Sequence, residues 1–198
     1  MRKLLIGVPT FDDCVCTETM ESIFNLDFSP VDVGDLKFVK GYDCAMARNK
    51  ILQKGLDEGY THVLMVDSDV ILPEKTLELL LGCEVPLAVG WYRIKADRSY
   101  VAAYKWGGGK NDRENQVTVS DIYARTEPFK IRSCGLGCAL VRTDILKDLT
   151  RPWANYMLYS DGNVLSEDLY FCSKVRGTGN PPILHPLVEC KHIKKEIF

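Results

Sequence analysis

An apolar segment that ends in two closely spaced carboxylates is the feature that most limits what this chain can fold into. Residues 63–66 are four consecutive apolar residues, and Asp67 and Asp69 follow them. Such a run is typical of a strand buried on both faces of a parallel sheet. The acids then lie at the carboxyl end of the strand, the edge of an open α/β sheet where ligands bind. Two carboxylates at this edge suit Mg²⁺ or Mn²⁺ held together with the phosphates of a ligand.

Other interpretations of Asp67 and Asp69 follow from the same pattern. They can begin a turn and cap a helix that starts near Pro73 and Glu74. A calcium-binding helix-loop-helix is excluded, because it needs an oxygen ligand at position 71 and a glycine at position 72, where the chain has isoleucine and leucine. The segment also resembles the haloacid-dehalogenase phosphatases, in which an apolar strand delivers a nucleophilic aspartate. That alternative stays open, with Asp67 as the nucleophile.

Length and composition favour one globular domain in a reducing compartment. The chain has 198 residues, 46% of them hydrophobic, which is enough for one sizeable core. Its net charge of -2 lacks the basic excess of a dedicated nucleic-acid binder, so a nucleic-acid partner is not expected. Pro9 interrupts the apolar amino terminus and no transmembrane run follows, so we expect a cytoplasmic protein whose eight cysteines are thiols.

Strands and helices are predicted to alternate in the first half of the chain. Strands are predicted at residues 4–8, 63–66 and 85–89, and helices at residues 18–24, 44–58 and 74–81. This alternation is typical of a mostly parallel sheet. The second half is predicted to contain short strands at residues 100–104, 117–123 and 138–141, with a glycine loop at 107–109. A helix capped by Asn163 or Ser166 is predicted to run to about Val175, and a last strand to lie at 183–188.

Three segments surround the aspartates in a characteristic order. Ala47-Arg48-Asn49 precedes them, the acidic pair Glu167-Asp168 follows Ser166, and His192 lies near the carboxyl terminus. In this order and spacing, the chain resembles the GT-A fold glycosyltransferases, particularly the small bacterial and phage enzymes that are similar to family-2 glycosyltransferases.

The resemblance extends from Leu4 to about His192 and implies an α/β fold. A mostly parallel, Rossmann-like central sheet would be flanked by helices, with a small mixed β region. It also implies a single domain over residues 1–198, with a nucleotide-binding half at about 1–92 and an acceptor-binding half at about 93–198.

On the donor side, the resemblance implies a metal site and a nucleotide site. Asp67 and Asp69 match an Asp-x-Asp motif whose Mn²⁺ or Mg²⁺ bridges the two phosphates of a nucleotide-sugar, with Asp69 as the more direct ligand. His192 matches a late histidine that completes the metal shell or contacts the diphosphate, although it can equally be an ordinary tail histidine. Pro9 and Thr10 lie where related proteins hold the base and the ribose.

Two further residues belong to the implied donor site. Ser68 lies between the two aspartates of the motif. Arg48 is expected to pair with the diphosphate or with Asp67, because a guanidinium offers a planar fork to oxyanions. A solvated charge on a helix is the plainer explanation of Arg48.

On the acceptor side, the resemblance implies a catalytic base and a glycine-containing segment that lines the acceptor site. Glu167 and Asp168 match the acidic pair at a helix start, where inverting members keep the base that deprotonates the acceptor hydroxyl, and Asp168 is the better match. The helix dipole alone also favours acids in a first turn. Gly135 and Gly137 match a stretch that lines the acceptor side, where missing side chains let a substrate approach the backbone.

Together these residues imply a metal-dependent transferase. It would move a hexose or similar sugar from a nucleoside-diphosphate sugar, such as a UDP-sugar, to a hydroxyl acceptor, with inversion at the anomeric carbon. The haloacid-dehalogenase-like phosphatase and a non-catalytic protein that binds sugar nucleotides are the alternatives.

Overall fold

The computed structural model describes residues 1–10, 14–107, 115–160 and 162–193. The helices in these ranges are α1 (Thr17–Phe24), α2 (Cys44–Asp57), α3 (Thr76–Gly82), α4 (Val119–Tyr123) and α5 (Glu167–Gly177), with a 3-10 helix at Thr143–Lys147. The strands are β1 (Lys3–Thr10), β2 (Val33–Lys40), β3 (His62–Val66), β4 (Val70–Ile71), β5 (Leu87–Trp91), β6 (Tyr100–Tyr104), β7 (Gln116–Thr118), β8 (Phe129–Lys130), β9 (Ser133–Cys134), β10 (Cys138–Arg142), β11 (Met157–Leu158), β12 (Val164–Leu165), β13 (Ile183–Glu189) and β14 (Lys191–His192).

A seven-stranded sheet with the order β2-β1-β3-β10-β5-β13-β8 forms the centre of the fold. Strands β1, β2, β3, β5 and β13 run in one direction, whereas β10 and β8 run in the other. The predicted α/β fold with a mostly parallel central sheet flanked by helices is therefore confirmed. The carboxyl ends of the five parallel strands meet at one edge of the sheet, which we call the carboxyl edge.

Both faces of the sheet are covered, which explains the apolar run that precedes Asp67. Val63 and Met65 of β3 pack in one cluster with the apolar residues of α2. Leu64 and Val66 point to the opposite face and pack in a second cluster with the leucines of α3. Because successive side chains of a strand point to opposite faces, a strand between two helical layers is apolar at every position.

The structure differs from the sequence-based prediction at the first two strands. Strand β1 continues through Pro9 to Thr10, where it pairs with β2 alone, because β3 pairs only with residues 4–7 of β1. A proline is tolerated where one side of a strand is unpaired. Strand β2 was not predicted: it lies at the edge of the sheet, and Val39 is its single buried residue, so it carries no apolar pattern.

A second difference concerns residues 117–123, which were predicted to be strand-like. Only Gln116–Thr118 form a strand, and α4 follows directly. Thr118 caps this helix: its side chain accepts from the backbone N–H of Asp121, and the Asp121 side chain accepts from the backbone N–H of Thr118. This capping box stabilises a helix here, although the β-branched residues of the segment favour a strand.

The remaining secondary structure places the small mixed β region beside the main sheet. Strands β7, β6 and β9 form a separate antiparallel sheet. The β14 strand pairs with β4, which brings His192 opposite Val70. Residues 108–109 of the predicted glycine loop lie outside the described residues. Within the described ranges, no helix is long and apolar enough to cross a lipid bilayer.

Candidate functional site

Four of the predicted residues meet at the carboxyl edge, and we call Arg48, Asp67, Glu167 and Asp168 the arginine cluster. Asp67 directly follows β3, Arg48 lies in α2, and the two other acids begin α5. The Arg48 Nη2 donates to Asp67 Oδ1 at 2.9 Å. The Arg48 Nε lies 3.4 Å from Glu167 Oε1 and 3.2 Å from Asp168 Oδ1. Two helices and one strand that are distant in sequence are thus joined through one guanidinium.

Arg48 is the buried centre of this cluster, with 2% of its surface exposed. Burial by itself lowers the pKa of Arg48, but the three surrounding carboxylates raise it well above its usual value. The guanidinium is therefore charged at every relevant pH. Its Nη1 is buried and makes no hydrogen bond within the described part of the chain.

Asp168 has a raised pKa. Burial raises the pKa of Asp168 to about 7, and the charges of Glu167 and Asp67 add to the increase, while Arg48 opposes it. The side chain keeps 21% of its accessible surface and lines a pocket of about 140 Å³ together with Ile94 and Gly135. A carboxyl group that titrates near neutral pH beside an open pocket can accept a proton from a bound molecule.

A second group, which we call the Asp69 cluster, consists of Asp69, Lys95 and His192. The Lys95 Nζ lies 2.6 Å from Asp69 Oδ2, and the His192 Nε2 lies 3.4 Å from Asp69 Oδ1. Although burial raises the pKa of Asp69, the hydrogen bonds from His192 and Lys95 outweigh this and hold it at about 2. Asp69 is therefore an ionised carboxylate that attracts cations. Lys95 was not predicted as a site residue. The only sequence feature that could have indicated it is its position shortly after a buried strand.

Asp67 and Asp69 do not cap a helix. The first residue before α3 is Lys75, whose side chain makes no capping hydrogen bond. The backbone N–H of Val70 instead donates to the Asp67 carbonyl at 3.1 Å, which makes a tight turn into β4. The turn points the two carboxylates at different partners, Arg48 and Lys95.

Gly135 and Gly137 both pack against a buried tyrosine, and Gly135 also lines the pocket beside Asp168. A Cβ at Gly137 would lie 2.6 Å from Asp67 Oδ2 and 2.8 Å from the Tyr92 hydroxyl. A Cβ at Gly135 would lie 2.4 Å from the same hydroxyl. The Tyr92 hydroxyl accepts from the Gly137 backbone N–H at 3.3 Å, and the Tyr92 ring meets the His192 ring edge-on at 5.1 Å. Tyr92, which sequence reasoning did not single out, thus links the two clusters.

The remaining donor-side residues lie apart from these contacts. The side chains of Pro9 and Thr10 are buried at the end of β1. The Ser68 carbonyl accepts from the backbone N–H of Cys16 at 2.8 Å. Within the described ranges, no hydrogen bond or ion pair that we find joins Pro9, Thr10 or Ser68 to either cluster.

The donor atoms near Asp69 fit a divalent cation that shares a ligand's phosphates. No three His, Cys, Asp or Glu side chains of the described residues form a group arranged to hold a metal ion. However, Asp69 Oδ1 and His192 Nε2 converge, and the His192 Nδ1 is buried without a hydrogen-bond partner in the described chain. One carboxylate and one imidazole suit Mn²⁺, because such sites take their remaining ligands from water and phosphate oxygens.

Replacing Arg48 by methionine is expected to lower the free energy of unfolding by about 3–5 kcal/mol, because buried carboxylates would lose their counter-ion. Urea unfolding at pH 8 measures this change. The matched control is Arg142→Met, which breaks the more exposed pair between Arg142 and Asp144 and should cost about 1 kcal/mol or less. Equal losses for the two variants would show that the arginine cluster contributes no special stability.

Comparisons with known proteins identify the fold. No protein-family model and no curated protein matches the chain. Among solved structures, the chain is similar to A197 from STIV, with 17% identity and a TM-score of 0.66 over 98% of this chain and 86% of that protein. It is also similar to GalNAc-T7, which was solved with UDP, GalNAc and Mn²⁺, with 11% identity and a TM-score of 0.65 over 98% of this chain.

The chain covers 44% of the GalNAc-T7 chain, so it corresponds to less than half of that protein. At these identities the similarity concerns the fold alone. The chain therefore has a mixed α/β, GT-A-like fold.

Proposed function

We propose that the protein is a metal-dependent glycosyltransferase that moves a hexose or similar sugar from a nucleoside-diphosphate sugar, such as a UDP-sugar, to a hydroxyl acceptor with inversion. The observation that carries the proposal is the pair of carboxylates with divergent pKa values at the carboxyl edge. Asp69 has a pKa of about 2 and Asp168 a pKa of about 7. When the surroundings of two acids move their pKa values apart, the acid with the low pKa stays charged and the acid with the higher pKa can take up a proton.

In this proposal, Asp168 takes the proton from the acceptor hydroxyl. The hydroxyl enters the pocket that Asp168 lines with Ile94 and Gly135. The charged Arg48 keeps Asp168 in position through its Nε, and its positive charge lies beside the carboxylates of the site. Glu167, whose oxygen also contacts the Arg48 Nε, positions the guanidinium.

Asp69 and His192 are the proposed holders of Mn²⁺ or Mg²⁺, with Asp67 held by Arg48 as the neighbouring carboxylate. When bound, the cation would stabilise the negative charge that develops on the leaving nucleoside diphosphate. Pro9, Thr10 and Ser68 are proposed to line the nucleotide side, and Gly137 the acceptor side.

A panel of nucleoside-diphosphate sugars with Mn²⁺ tests the proposal, with release of free nucleoside diphosphate as the readout. We expect release with at least one donor and none in excess chelator. The anomeric configuration of the product, read by NMR, decides between inversion and retention. Phosphate release from a simple phosphomonoester would instead support the phosphatase alternative, and calorimetric binding of a donor without turnover would support a non-catalytic binding protein.

His192→Ala is expected to weaken Mn²⁺-supported activity more than Mg²⁺-supported activity, because imidazole nitrogen is a better ligand for Mn²⁺ than for Mg²⁺. Titration of each metal under saturating donor measures the apparent affinities. His185→Ala is the matched control, since His185 lies within β13 and in neither cluster. Equal Mn²⁺ affinities for wild type and His192→Ala would remove His192 from the proposed metal site.

A further inference from the structure

A basic pocket of about 310 Å³ opens beside Asp69, and Lys95 and His192 of the Asp69 cluster form part of its lining. Its walls come from the segment after β5 and from the turn between β13 and β14. Four cationic side chains line it, with Glu189 as the one acid among its lining residues: Arg93, Lys95, Arg98 and Lys191.

The charges of this pocket are only partly balanced. Arg93 lies 3.8 Å from Glu189, and Lys95 is paired with Asp69. Arg98 and Lys191 are exposed, and no acid of the described residues forms an ion pair with either of them. Among the described residues, Arg98 and Lys191 therefore have no acidic partner and can bind an anion, and Lys95 becomes a third cation if a metal ion replaces it on Asp69.

The order of the sheet places this pocket on the acceptor side. Asp67 and Asp69 follow β3, and the proposed nucleotide residues Pro9 and Thr10 end β1 on one side of it. The basic pocket lies at the carboxyl ends of β5 and β13, on the other side of β3. Lys95 and His192 border both the Asp69 cluster and this pocket, so a diphosphate near Asp69 would lie at one end of it. With the nucleoside at β1, Arg98 and Lys191, which follow β5 and β13, are left for the acceptor.

The basic pocket also touches the pocket of the proposed base. Ile94 lines both, so the two pockets are neighbours that share one wall residue. A molecule that offers a hydroxyl to Asp168 can therefore reach Arg98 and Lys191 with another group.

We propose that the acceptor carries a phosphate group and that the basic pocket binds it. This inference rests on the proposed function and adds the chemical class of the acceptor. A phosphate monoester matches the pocket, because its two charges and three oxygens can engage Arg98, Lys191 and a released Lys95 together. The phosphate fixes the orientation in which the acceptor hydroxyl meets Asp168.

Calorimetric titration with glucose 6-phosphate and with glucose, in saturating UDP and Mg²⁺, tests the pocket without any turnover. We expect binding of glucose 6-phosphate and none of glucose. Replacing both Arg98 and Lys191 by glutamine should weaken glucose 6-phosphate binding by roughly tenfold or more, since hydrogen bonds to charged groups are lost.

The matched control is the double variant Lys130→Gln and Lys147→Gln. It removes the same charge from exposed positions near the amino ends of β13 and β3, at the opposite edge of the sheet. An equal loss of binding in the control would show a general charge effect and overturn the proposal. Binding of glucose 6-phosphate to the protein without UDP, and its loss in saturating UDP, would overturn it too, because the pocket would then belong to the donor.

The phosphate-binding experiment and the donor panel can fail independently of each other. If the donor panel shows transfer but Arg98 and Lys191 do not affect phosphate binding, the phosphorylated acceptor is wrong and the transferase stands. If glucose 6-phosphate binds in the pocket but no donor is turned over, the acceptor role and the transferase both fail, and the pocket is a phosphate site of another kind.

Discussion

Asp69→Ala is expected to reduce sugar transfer by about 10³-fold or more while the fold persists. The variant removes the carboxylate that attracts a cation, and a bound cation contributes several kcal/mol of charge stabilisation in such reactions. Stability should change little, because the pair that is lost is partly exposed: the Lys95 side chain is 43% exposed and returns to water. Initial rates across a Mn²⁺ titration, with circular dichroism and thermal unfolding, measure both effects.

Asp144→Ala is the matched control for this prediction. Asp144 is also ion-paired, with Arg142 at 2.8 Å, but it lies beyond β10, away from both clusters. Its replacement should leave transfer within about twofold of wild type, as expected for an exposed ion pair distant from the site. Full activity of wild type in excess chelator, or unchanged turnover in Asp69→Ala, would remove the metal from the mechanism.

Asp168→Asn is expected to reduce transfer by about 10²–10⁴-fold, the range typical of a lost general base, while donor binding is retained. The amide keeps the shape of the side chain and cannot accept the proton. The variant should remain folded, because Arg48 keeps its contacts with Asp67 and Glu167. Donor affinity by calorimetry and the maximal rate by product release separate the two effects. A variant that lost donor affinity and kept its maximal rate would make Asp168 a binding residue.

The pH dependence gives this prediction a second readout. Burial raises the pKa of Asp168 to about 7, so the group is protonated below that pH and cannot act as a base. Transfer by wild type should therefore rise as the pH increases through about 7, and the residual activity of Asp168→Asn should lack that step. A rate–pH profile under saturating substrates measures it.

Glu167→Gln tests whether the step belongs to Asp168. The charge of Glu167 raises the pKa of its neighbour, so its removal should move the midpoint of the profile to lower pH without abolishing the step. Loss of the step in Glu167→Gln and its retention in Asp168→Asn would exchange the roles of the two acids.

The sequence predicted the parts of the fold that depend on local pattern. The apolar run before Asp67 indicated a strand buried on both faces, and β3 lies between two apolar clusters. The helix at Cys44–Asp57 was predicted to within one residue, because it combines a one-sided apolar pattern with a following glycine. Edge strand β2 was not predicted, since a strand with one buried residue has no apolar periodicity in its sequence.

The sequence also named Arg48, Asp67, Glu167 and Asp168 as separate candidates, but only the tertiary structure joined them. Residues 48 and 167 are far apart in the chain and meet because α2 and α5 pack against each other at the carboxyl edge. Lys95, Tyr92 and the basic pocket could not be found by pattern, because a contact across the sheet leaves no periodic signal.

The α/β architecture and the charged side chains at the ends of its strands could be read from the sequence, since they follow from periodicity and from residue chemistry. The tertiary structure decided which acid is ionised and which can accept a proton. Asp69 and Asp168 have the same side chain, and their pKa values diverge because Lys95 and His192 hydrogen-bond to one while burial and neighbouring carboxylates act on the other. Desolvation and neighbouring charge depend on three-dimensional packing, which local sequence does not record.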